Sequence, residues 1–516
     1  GFYCQAMFTD IGHSPPAARE ADRRPHAVVI GSGLGGLAAA IRLGARGYRV
    51  SVFEKLEQPG GRASVFRQDG FTFDAGPTII TAPFVLEELW SRAGARFADD
   101  VTLKSLDPFY DIRFHDGTVM TCSGDAERMR AEVRRIAPGD VAGYDRFMAE
   151  SEAIYRIGFE QLGHVPFGSP MSMVRIAPDL VRLGAWRTVW QHVAARVKNP
   201  KIRMALSFHP LFIGGNPFKV TAIYSMIAYL ERQYGVHCAI GGTGALVAAM
   251  AGLIRRQGGV IHLDSPVDEI ICAGGRATGI RLADGRVIPA SVVVSNAETA
   301  HTYRTLLRNA PRKRWPDAKL ARARYSMSLF VWYFGTDRLY PDVRHHTIMM
   351  GPRYRGLLDD IFTRKHLAGD FSLYLHRPTA SDPQLAPPGC DSFYVLSPVP
   401  HQDSGIDWAE RAPSYRAAIA AHLEATVLPG LSRHIVTEKL ITPIDFENRL
   451  SSYKGAAFGL EPVLLQSAWF RPNNKAEDID NLFLVGAGTH PGAGLPGVIS
   501  SARILDTVVP DASVFA

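Results

Sequence analysis

Cysteine is scarce in this sequence, and its distribution excludes two kinds of site. Five cysteines stand among 516 residues, with no CxxC pair and no metal-ligand spacing. Because their number is odd and they are widely scattered, we interpret them as reduced thiols of a cytosolic protein, not a disulfide framework. They are Cys4, Cys122, Cys238, Cys272 and Cys390. A Ser-His-Asp pattern is also missing, so we predict neither a metal site nor such a triad.

Long apolar runs are missing as well. A bilayer-spanning helix needs about 20 consecutive apolar residues, and no stretch of the chain supplies them. We therefore predict no transmembrane helix. The net charge of +7 predicts attraction to an anionic partner. Because no DNA- or RNA-binding motif accompanies this charge, we expect a membrane surface and not nucleic acid.

The length and composition predict a folded, multidomain chain. With 46% hydrophobic and 21% charged residues it can bury a large core, and 516 residues exceed the usual size of one domain. Residues 1–25 are rich in proline, alanine and charge and lack periodicity. We expect them to form a flexible leader.

The clearest motif lies near the start of the chain. An apolar run at residues 27–30 is followed by Gly-Ser-Gly-Leu-Gly-Gly, by helix-forming residues 37–46, and by a second apolar run at 48–53 that ends at Glu54. This order of strand, tight turn, helix, strand and acid is typical of a dinucleotide-binding βαβ unit.

Each part of this motif has a physical task. Gly31 allows a sharp turn, Gly33 lets backbone approach a pyrophosphate, and Gly36 lets the helix pack closely on the strand; Gly35 lies in the same loop. The helix N-terminus offers free N–H groups to the phosphates. Glu54 is placed to accept hydrogen bonds from ribose hydroxyls, which disfavours a 2′-phosphate but does not distinguish NAD from FAD.

Two later loops favour FAD. Residues 59–63 add a turn and the guanidinium of Arg62 close to the phosphate site, and residues 70–77 form a second Gly/Pro loop where main chain can approach a bulky ring. Nicotinamide dehydrogenases seldom carry both loops, whereas one large class of FAD oxidoreductases does. The other contacts that we predict here are Lys55, Gly61, Gly76 and Pro77.

The middle of the chain predicts contact with lipid. Residues 165–198 interleave apolar side chains with arginines, and Trp186 and Trp190 lie four apart, on one face if the segment is helical. This composition suits a helix in a lipid headgroup region; the alternative is an amphipathic helix packed on the protein's own core. The apolar residues 208–218 and a helix at 222–231 could line an apolar tunnel.

The last motif decides the family. Residues 481–498 form a strand, a long Gly/Pro loop and the start of a helix, whose amides could stabilise negative charge on a reduced flavin. With the glycine loop and residues 59–63 and 73–77, the chain resembles bacterial-type phytoene desaturases from about residue 26 to its C-terminal helix. The flavin contacts that we predict from this half of the chain are Val267 (backbone to adenine), Asn296, Gly486, Ala487, Gly488, Thr489, Gly494 and Val498.

The resemblance implies an α/β, amine-oxidase-like architecture. A Rossmann-type FAD-binding domain is interleaved with a sheet-containing substrate domain and a helical membrane-associating region. The FAD-binding domain comprises residues 26–80, 236–300 and 470–516, the substrate domain comprises 81–128 and 301–469, and the helical region for membrane contact and substrate access comprises 129–235.

The resemblance also implies an activity. Family members bind FAD non-covalently, remove hydrogen pairs from phytoene, a linear C40 carotenoid dissolved in the membrane, to form neurosporene or lycopene, and pass electrons to quinone or O₂. We therefore expect a peripheral protein on the cytoplasmic side of the membrane. Related amine oxidases usually have an acid where this chain has Ala487, so the carboxylate contact to the ribityl chain is missing; backbone amides or Thr489 could replace it.

The chemistry restricts the catalytic residues. A C–C bond between allylic positions has no acidic proton, so oxidation is easiest as hydride departure to the flavin followed by proton loss. This requires a dry tunnel and at most one weak base. The candidates are Glu231, His209 and Asp74.

Other activities remain open at this point. A desaturase of a later carotenoid intermediate would share every motif, and a redox-neutral carotenoid isomerase would share the fold and FAD without net electron transfer. An amine oxidase would need a polar or aromatic amine-binding cage, against which the apolar residues 208–218 argue. A non-catalytic flavoprotein scaffold is the last alternative.

Overall fold

The computed structural model describes residues 22–516, so most of the predicted leader, with Cys4, lies outside the described residues. In chain order the strands, β1 to β19, are His26–Ile30, Arg49–Phe53, Val65–Gln68, Phe71–Asp74, Leu103–Leu106, Tyr110–Arg113, Val119–Cys122, Val236–Ala239, Val260–His262, Val267–Ala273, Arg276–Leu282, Val287–Pro289, Val292–Ser295, Ser328–Thr336, His346–Met349, Leu373–His376, Asp391–Val399, Ile435–Ile441 and Leu482–Leu484.

The α-helices, α1 to α17, are Leu34–Ala45, Phe84–Arg92, Phe97–Asp100, Ala126–Ile136, Val141–Tyr155, Pro170–Arg182, Val189–Ala194, Pro200–Ser207, Met226–Tyr234, Thr243–Arg256, Thr299–His301, Asp317–Arg322, Tyr354–Asp359, Trp408–Thr426, Pro443–Leu450, Leu495–Arg503 and Leu505–Val508. The helix predicted to begin at residue 37 begins at Leu34, inside the glycine loop.

A five-stranded parallel sheet, in the order β19-β13-β1-β2-β9, forms the first layer. Helices α1, α10 and α16 cover one face and the antiparallel strands β10 to β12 pack on the other. Since both faces are covered, its strands are apolar runs, as in β1, where Val28 and Val29 are fully buried. This arrangement confirms the predicted Rossmann-type fold class.

A seven-stranded sheet, in the order β18-β14-β17-β16-β15-β6-β7, forms the second layer. Strand β14, which lies between β18 and β17, is buried along its whole length, because alternate side chains enter two different cores. Phe330 and Trp332 pack on the side of α14, whereas Leu329 and Val331 face the opposite side. That opposite face is the one that borders the central cavity.

Helices α4, α5 and α7 to α9 cover one end of the second sheet. The prediction of one helix at 165–198 is wrong, because this segment divides into α6 and α7. Gly184, with φ of +70°, follows the end of α6, and Thr188 caps α7 in a capping box with Gln191. Within residues 22–516, no helix is both long enough and apolar enough to cross a membrane.

The break separates the two tryptophans that the sequence placed on one face. Trp186 lies between the helices and is 70% exposed. Trp190 lies on α7 and packs inward, with its ring centroid 4.7 Å from that of Phe218 and 5.9 Å from that of Tyr354. Trp190 is therefore partly buried and packs against the protein core.

Candidate active site

One cavity of about 530 Å³ extends from the carboxyl ends of the parallel strands to the inner face of the second sheet. Its first end is formed by the loops that follow β1, β2, β13 and β19, where open α/β sheets bind their ligands. The predicted site residues that border it are Gly33, Gly35, Gly61, Arg62, Gly76, Pro77, Glu231, Asn296, Gly486, Ala487, Gly488, Gly494 and Val498.

The glycine loop is packed against Asn296. A Cβ at Gly33 or Gly35 would lie 2.7 or 2.6 Å from the Asn296 amide group, so no larger residue fits unless this side chain moves. Gly31 has φ of +89°, and a Cβ at Gly36 would lie 2.1 Å from the Gly31 carbonyl oxygen. The loop is therefore a bare backbone surface on the cavity, held from behind by Asn296.

Glu54 is buried at the end of β2 and holds the glycine loop. Its Oε2 accepts hydrogen bonds from the Ser32 amide at 2.8 Å and the Ser32 hydroxyl at 2.6 Å, and its Oε1 accepts one from the Leu56 amide at 3.1 Å. Lys55 turns away from the loop, because its Nζ donates to the Ser451 hydroxyl at 2.8 Å.

Arg62 offers a cation without a full set of partners. Its guanidinium donates to the Ser452 hydroxyl at 2.9 Å, while its buried Nε has no partner among residues 22–516. Burial lowers the pKa of Arg62, and the nearby Glu298 opposes this shift. A Cβ at Gly76 would lie 1.6 Å from the Arg62 carbonyl oxygen, so only glycine fits there. An unsatisfied guanidinium beside a bare glycine loop fits an anionic pyrophosphate.

The closing loop completes this end of the cavity. Gly486 has φ of +106°, and a Cβ added there would lie 2.7 Å from Asn296 Oδ1, so Asn296 packs closely against both glycine loops. A Cβ at Gly488 would lie 2.4 Å from the Thr299 side chain. Gly494, with φ of +88°, precedes α16, so the N-terminus of this helix meets the cavity. Free N–H groups there suit a negatively charged ligand.

Thr489 and Arg471 support the closing loop from inside. The Thr489 hydroxyl donates to the Gly486 carbonyl at 3.3 Å and accepts from Asn474 at 3.2 Å, so it braces the loop and is not turned to a flavin side chain. Arg471 is buried and donates to the Ala487 carbonyl at 2.8 Å. Sequence reasoning did not find Arg471, because its position 16 residues before Ala487 follows no motif.

Glu231 and His209 meet in a buried cluster with Tyr110. The Tyr110 hydroxyl donates to Glu231 Oε2 at 2.6 Å, and His209 Nε2 lies 3.2 Å from the same oxygen. Burial, and after it the charge of Glu231, raises the pKa of Tyr110 well above its ordinary value, which keeps the phenol protonated. Glu231 Oε1 has no partner in the described chain, although Glu231 borders the cavity.

Asp74 has a different environment from the other two candidates. Its carboxylate accepts from the Thr243 amide at 3.0 Å and the Gly244 amide at 3.2 Å, at the start of α10. Burial raises the pKa of Asp74 to about 6. The structure therefore places this residue at a helix N-terminus and not at the cavity, which corrects the expectation that it could act on a substrate.

Several predicted site residues lie behind the cavity wall. The described residues that border the cavity do not include Gly31, Gly36, Glu54, Lys55, Val267, Thr489, His209 or Asp74. Val267 is the first residue of β10. Two residues before it, the Ser265 amide donates to the Glu54 carbonyl at 2.8 Å. Of these residues, Glu54 and Thr489 shape the loops that border the cavity, through their hydrogen bonds to Ser32 and Gly486.

The second end of the cavity is apolar. It receives side chains from the loop at 208–213, from α9 and from strands β14 to β17. The apolar and aromatic residues that border it include Phe208, Leu211, Phe212, Ile213, Ile227, Leu230, Leu329, Val331, Ile348, Tyr374 and Leu396. Such a wall suits a hydrocarbon ligand. It belongs to the same cavity as the glycine loops.

Comparison with known proteins agrees with this geometry. The family model described as "flavin containing amine oxidoreductase" matches residues 34–504. The structure of a redesigned putrescine oxidase is similar in fold, with a TM-score of 0.64 and 13% identity, covering 94% of this chain and 98% of that chain.

Curated relatives are much more similar in sequence. The neurosporene-forming phytoene desaturase of Cereibacter sphaeroides is 52% identical, over 96% of both chains. The lycopene-forming phytoene desaturase of Pseudescherichia vulneris is 48% identical, over 92% of this chain and 97% of its own. The bare glycine loops and the unsatisfied Arg62 nitrogen fit FAD, which is the cofactor. The chain belongs to the flavin-containing amine oxidoreductases and, among them, to the phytoene desaturases.

Proposed function

We propose that this protein desaturates phytoene, extending its conjugated system toward neurosporene or lycopene. The observation that carries the proposal is the single cavity in which a glycine-rich dinucleotide end meets an apolar end. A linear C40 hydrocarbon has no polar handle, so it is recognised by the shape and dryness of such a wall. The names of relatives at about half identity support the same substrate class.

Glu231 is our candidate for the proton acceptor. FAD, when bound, supplies the acceptor for the hydride that leaves the first carbon. The proton on the neighbouring carbon then transfers to Glu231 Oε1, the oxygen without a partner in the described chain, and the C–H electron pair forms the new double bond. Tyr110 holds Oε2 and keeps the carboxylate oriented.

We assign FAD binding to both glycine loops and to Arg62. Arg62 would pair with the pyrophosphate, and the N-termini of α1 and α16 would face the phosphates and the flavin ring. Glu54 would act from the end of β2, both on the ribose and by fixing the glycine loop through Ser32. Asn296 would hold the two loops at the correct separation.

We infer that α6 contacts the cytoplasmic surface of the membrane. None of its residues is buried by the described chain, and four apolar side chains on or near it are more than half exposed. They are Met171 at 55%, Val174 at 62%, Val181 at 68% and Trp186 at 70%. Arginines on the same segment would meet lipid phosphates.

The final electron acceptor would be a quinone or O₂. A quinone is dissolved in the same bilayer as phytoene and so would reach the same protein surface.

Anaerobic reduction of the flavin tests the proposal directly. The holoprotein, mixed under nitrogen with liposomes that contain phytoene, should lose the absorption of oxidised flavin. A quinone added afterwards should restore it while longer-wavelength carotenoid bands appear. A spectrum that changes shape without longer conjugation would indicate an isomerase. Flavin that bleaches with amines but not with phytoene would indicate an amine oxidase, and flavin that no substrate bleaches would overturn the proposal.

A further inference from the structure

Three buried histidines lie together beside the second sheet, outside the catalytic machinery. His346 and His376 face each other across the antiparallel pair β15 and β16, and His345 precedes β15 directly. Their exposed fractions are 8% for His345, 0% for His346 and 2% for His376. The sequence did not reveal this cluster, because His345 and His376 are 31 residues apart.

The ring nitrogens of the cluster are not all satisfied. One nitrogen from each ring lies within 4.8 Å of one from each of the other two, and Nε2 of His345 is 3.2 Å from Nε2 of His376. His346 Nε2 and His376 Nδ1 have no partner within residues 22–516. A buried polar atom without a partner costs roughly 1–3 kcal/mol, and a cation bound at Nε2 of His346 would satisfy one of these two nitrogens.

Two hydroxyl groups orient the rings. His345 Nδ1 is 2.7 Å from the Ser381 hydroxyl, and His346 Nδ1 contacts the Tyr374 hydroxyl. When Nδ1 carries the proton and donates it to the hydroxyl, the lone pair of each of these two rings is on Nε2. Protein groups that fix the outer nitrogen in this way are typical of histidine metal ligands.

Charged groups lie near the cluster. Lys104 and Arg377 are the cations close enough to His345 to act on its ring.

Carboxylates balance these cations. Arg377 is already paired with Asp391 at 2.9 Å. The carboxyl groups of Asp74 and Asp382 border the same cavity of about 10 Å³ as His345 and His376. A buried metal needs such compensating charge, and here it comes from residues that need not coordinate the ion.

We propose that His345, His346 and His376 bind a divalent transition metal of the Zn²⁺ type through their Nε2 atoms. Three imidazoles are a common ligand set for such ions. Small ring rotations would bring the nitrogens to the separation of roughly 3.4 Å that Zn–N bonds of ~2.0–2.1 Å require. Because Tyr374 borders the substrate cavity and contacts His346, the metal would stiffen that wall; it takes no part in hydride transfer.

Metal content after reconstitution tests this site. The flavin-loaded protein is dialysed against a chelator, incubated with Zn²⁺, desalted and measured by mass spectrometry for zinc. We expect one equivalent per chain, together with a thermal unfolding temperature that rises with Zn²⁺ concentration. His346→Gln combined with His376→Asn should reduce the zinc to less than a tenth of an equivalent and abolish the temperature rise. His434→Gln, which changes a partly exposed histidine on another loop, should retain both.

Two results would overturn the proposal. The parent protein could retain no zinc after desalting, which would leave the cluster as a set of hydrogen-bonded neutral rings. Alternatively, the double variant could retain a full equivalent, which would locate the zinc elsewhere. If the double variant does not fold, X-ray absorption of zinc in the parent protein decides, since scattering without imidazole nitrogens also refutes the site.

Discussion

At the scale of single residues, the site depends on a few buried groups that the chain has not fully satisfied. Arg62 Nε and Glu231 Oε1 are both buried without a partner in the described chain, and both residues border the cavity. Leaving polar atoms unpaired lowers stability. A binding site is expected to show this pattern, with an unpaired cationic nitrogen at one end of the cavity and an unpaired carboxylate oxygen at the other.

We expect Glu231→Gln to reduce turnover of phytoene about 10²- to 10⁴-fold, the usual contribution of a positioned base. Flavin content should stay normal, because Glu231 lies at the apolar end of the cavity and Gln can still accept from Tyr110. Glu127→Gln, at a residue that is 80% exposed on α4, is the control. Equal turnover rates in the Glu231 variant and the parent would exclude it as the base.

Glu54→Gln and Arg62→Ala should each weaken FAD retention. A charge-assisted hydrogen bond contributes roughly 1.5–3 kcal/mol, which corresponds to about 10- to 150-fold in the dissociation constant. The ratio of flavin absorbance to protein absorbance after gel filtration measures retention. Arg67→Ala, on the exposed side of β3, should leave it unchanged. Full flavin in both site variants would contradict the assignment.

Asp74 makes stability depend on pH. Its pKa is raised from 3.8 to about 6 by burial, so the folded state binds this proton more tightly than the unfolded state does. The resulting stabilisation is fully present below pH 3.8 and is lost as the pH rises through about 6. A shift of about two units corresponds to roughly 3 kcal/mol.

Asp74→Asn keeps an oxygen for the Thr243 and Gly244 amides but removes the titration. Between about pH 4 and pH 7, its thermal unfolding temperature should fall less than that of the parent. Other groups titrate in this window, so the difference between the two curves is the measurement. Parallel curves would show that the pKa of Asp74 is not raised.

At the scale of elements, the division of residues 165–198 into α6 and α7 gives the two halves different surroundings. No residue of α6 is buried by the described chain, whereas Val189 and Val193 of α7 are buried. Leu465, exposed to 71%, precedes the turn Ala468–Phe470, which contacts α6. Exposed apolar side chains grouped in this way are typical of a contact site.

Val181→Ser with Trp186→Ser should weaken binding to liposomes by about tenfold or more, because each side chain would otherwise bury apolar area in the lipid. FAD content should remain that of the parent. Val514→Ser, at a residue exposed to 69% near the C-terminus, is the matched control. Trp190→Ser should instead destabilise the fold by roughly 1–3 kcal/mol, because its partly buried ring packs against the core. A double variant that binds like the parent would remove α6 from the interface.

At the scale of the whole molecule, the chain passes repeatedly between the two sheets. The parallel sheet takes β1 and β2 from the start of the chain, β9 and β13 from its middle, and β19 from its end. The cavity wall takes residues from all of these parts. The flavin-binding loops and the apolar wall are therefore built from the same interleaved segments of the chain.

The net charge of +7 predicts binding to anionic membranes. Co-sedimentation with liposomes should increase with the fraction of anionic lipid and decrease with salt, because each cation near the surface contributes about 1 kcal/mol that ions screen. Liposomes of zwitterionic lipid alone are the control and should retain only the apolar part of the binding. Protein that stays in the supernatant with every lipid composition would refute peripheral association.

The amino-acid sequence by itself determined the dinucleotide motif, the closing loop and the buried strands. These features depend on local spacing: a glycine loop between an apolar strand and a helix has few alternative structures, and β14 reads as apolar because both of its faces are covered. The fold class and the cofactor were therefore predictable.

Only the tertiary structure decided which distant side chains meet. Glu231 reaches Tyr110 across 121 residues, Asn296 fills the space behind both glycine loops, and the three histidines come together through the pairing of β15 with β16. Trp190 turned inward because Gly184 ended the preceding helix. Such contacts follow from the packing of separate segments against each other, and the spacing along one segment does not contain that information.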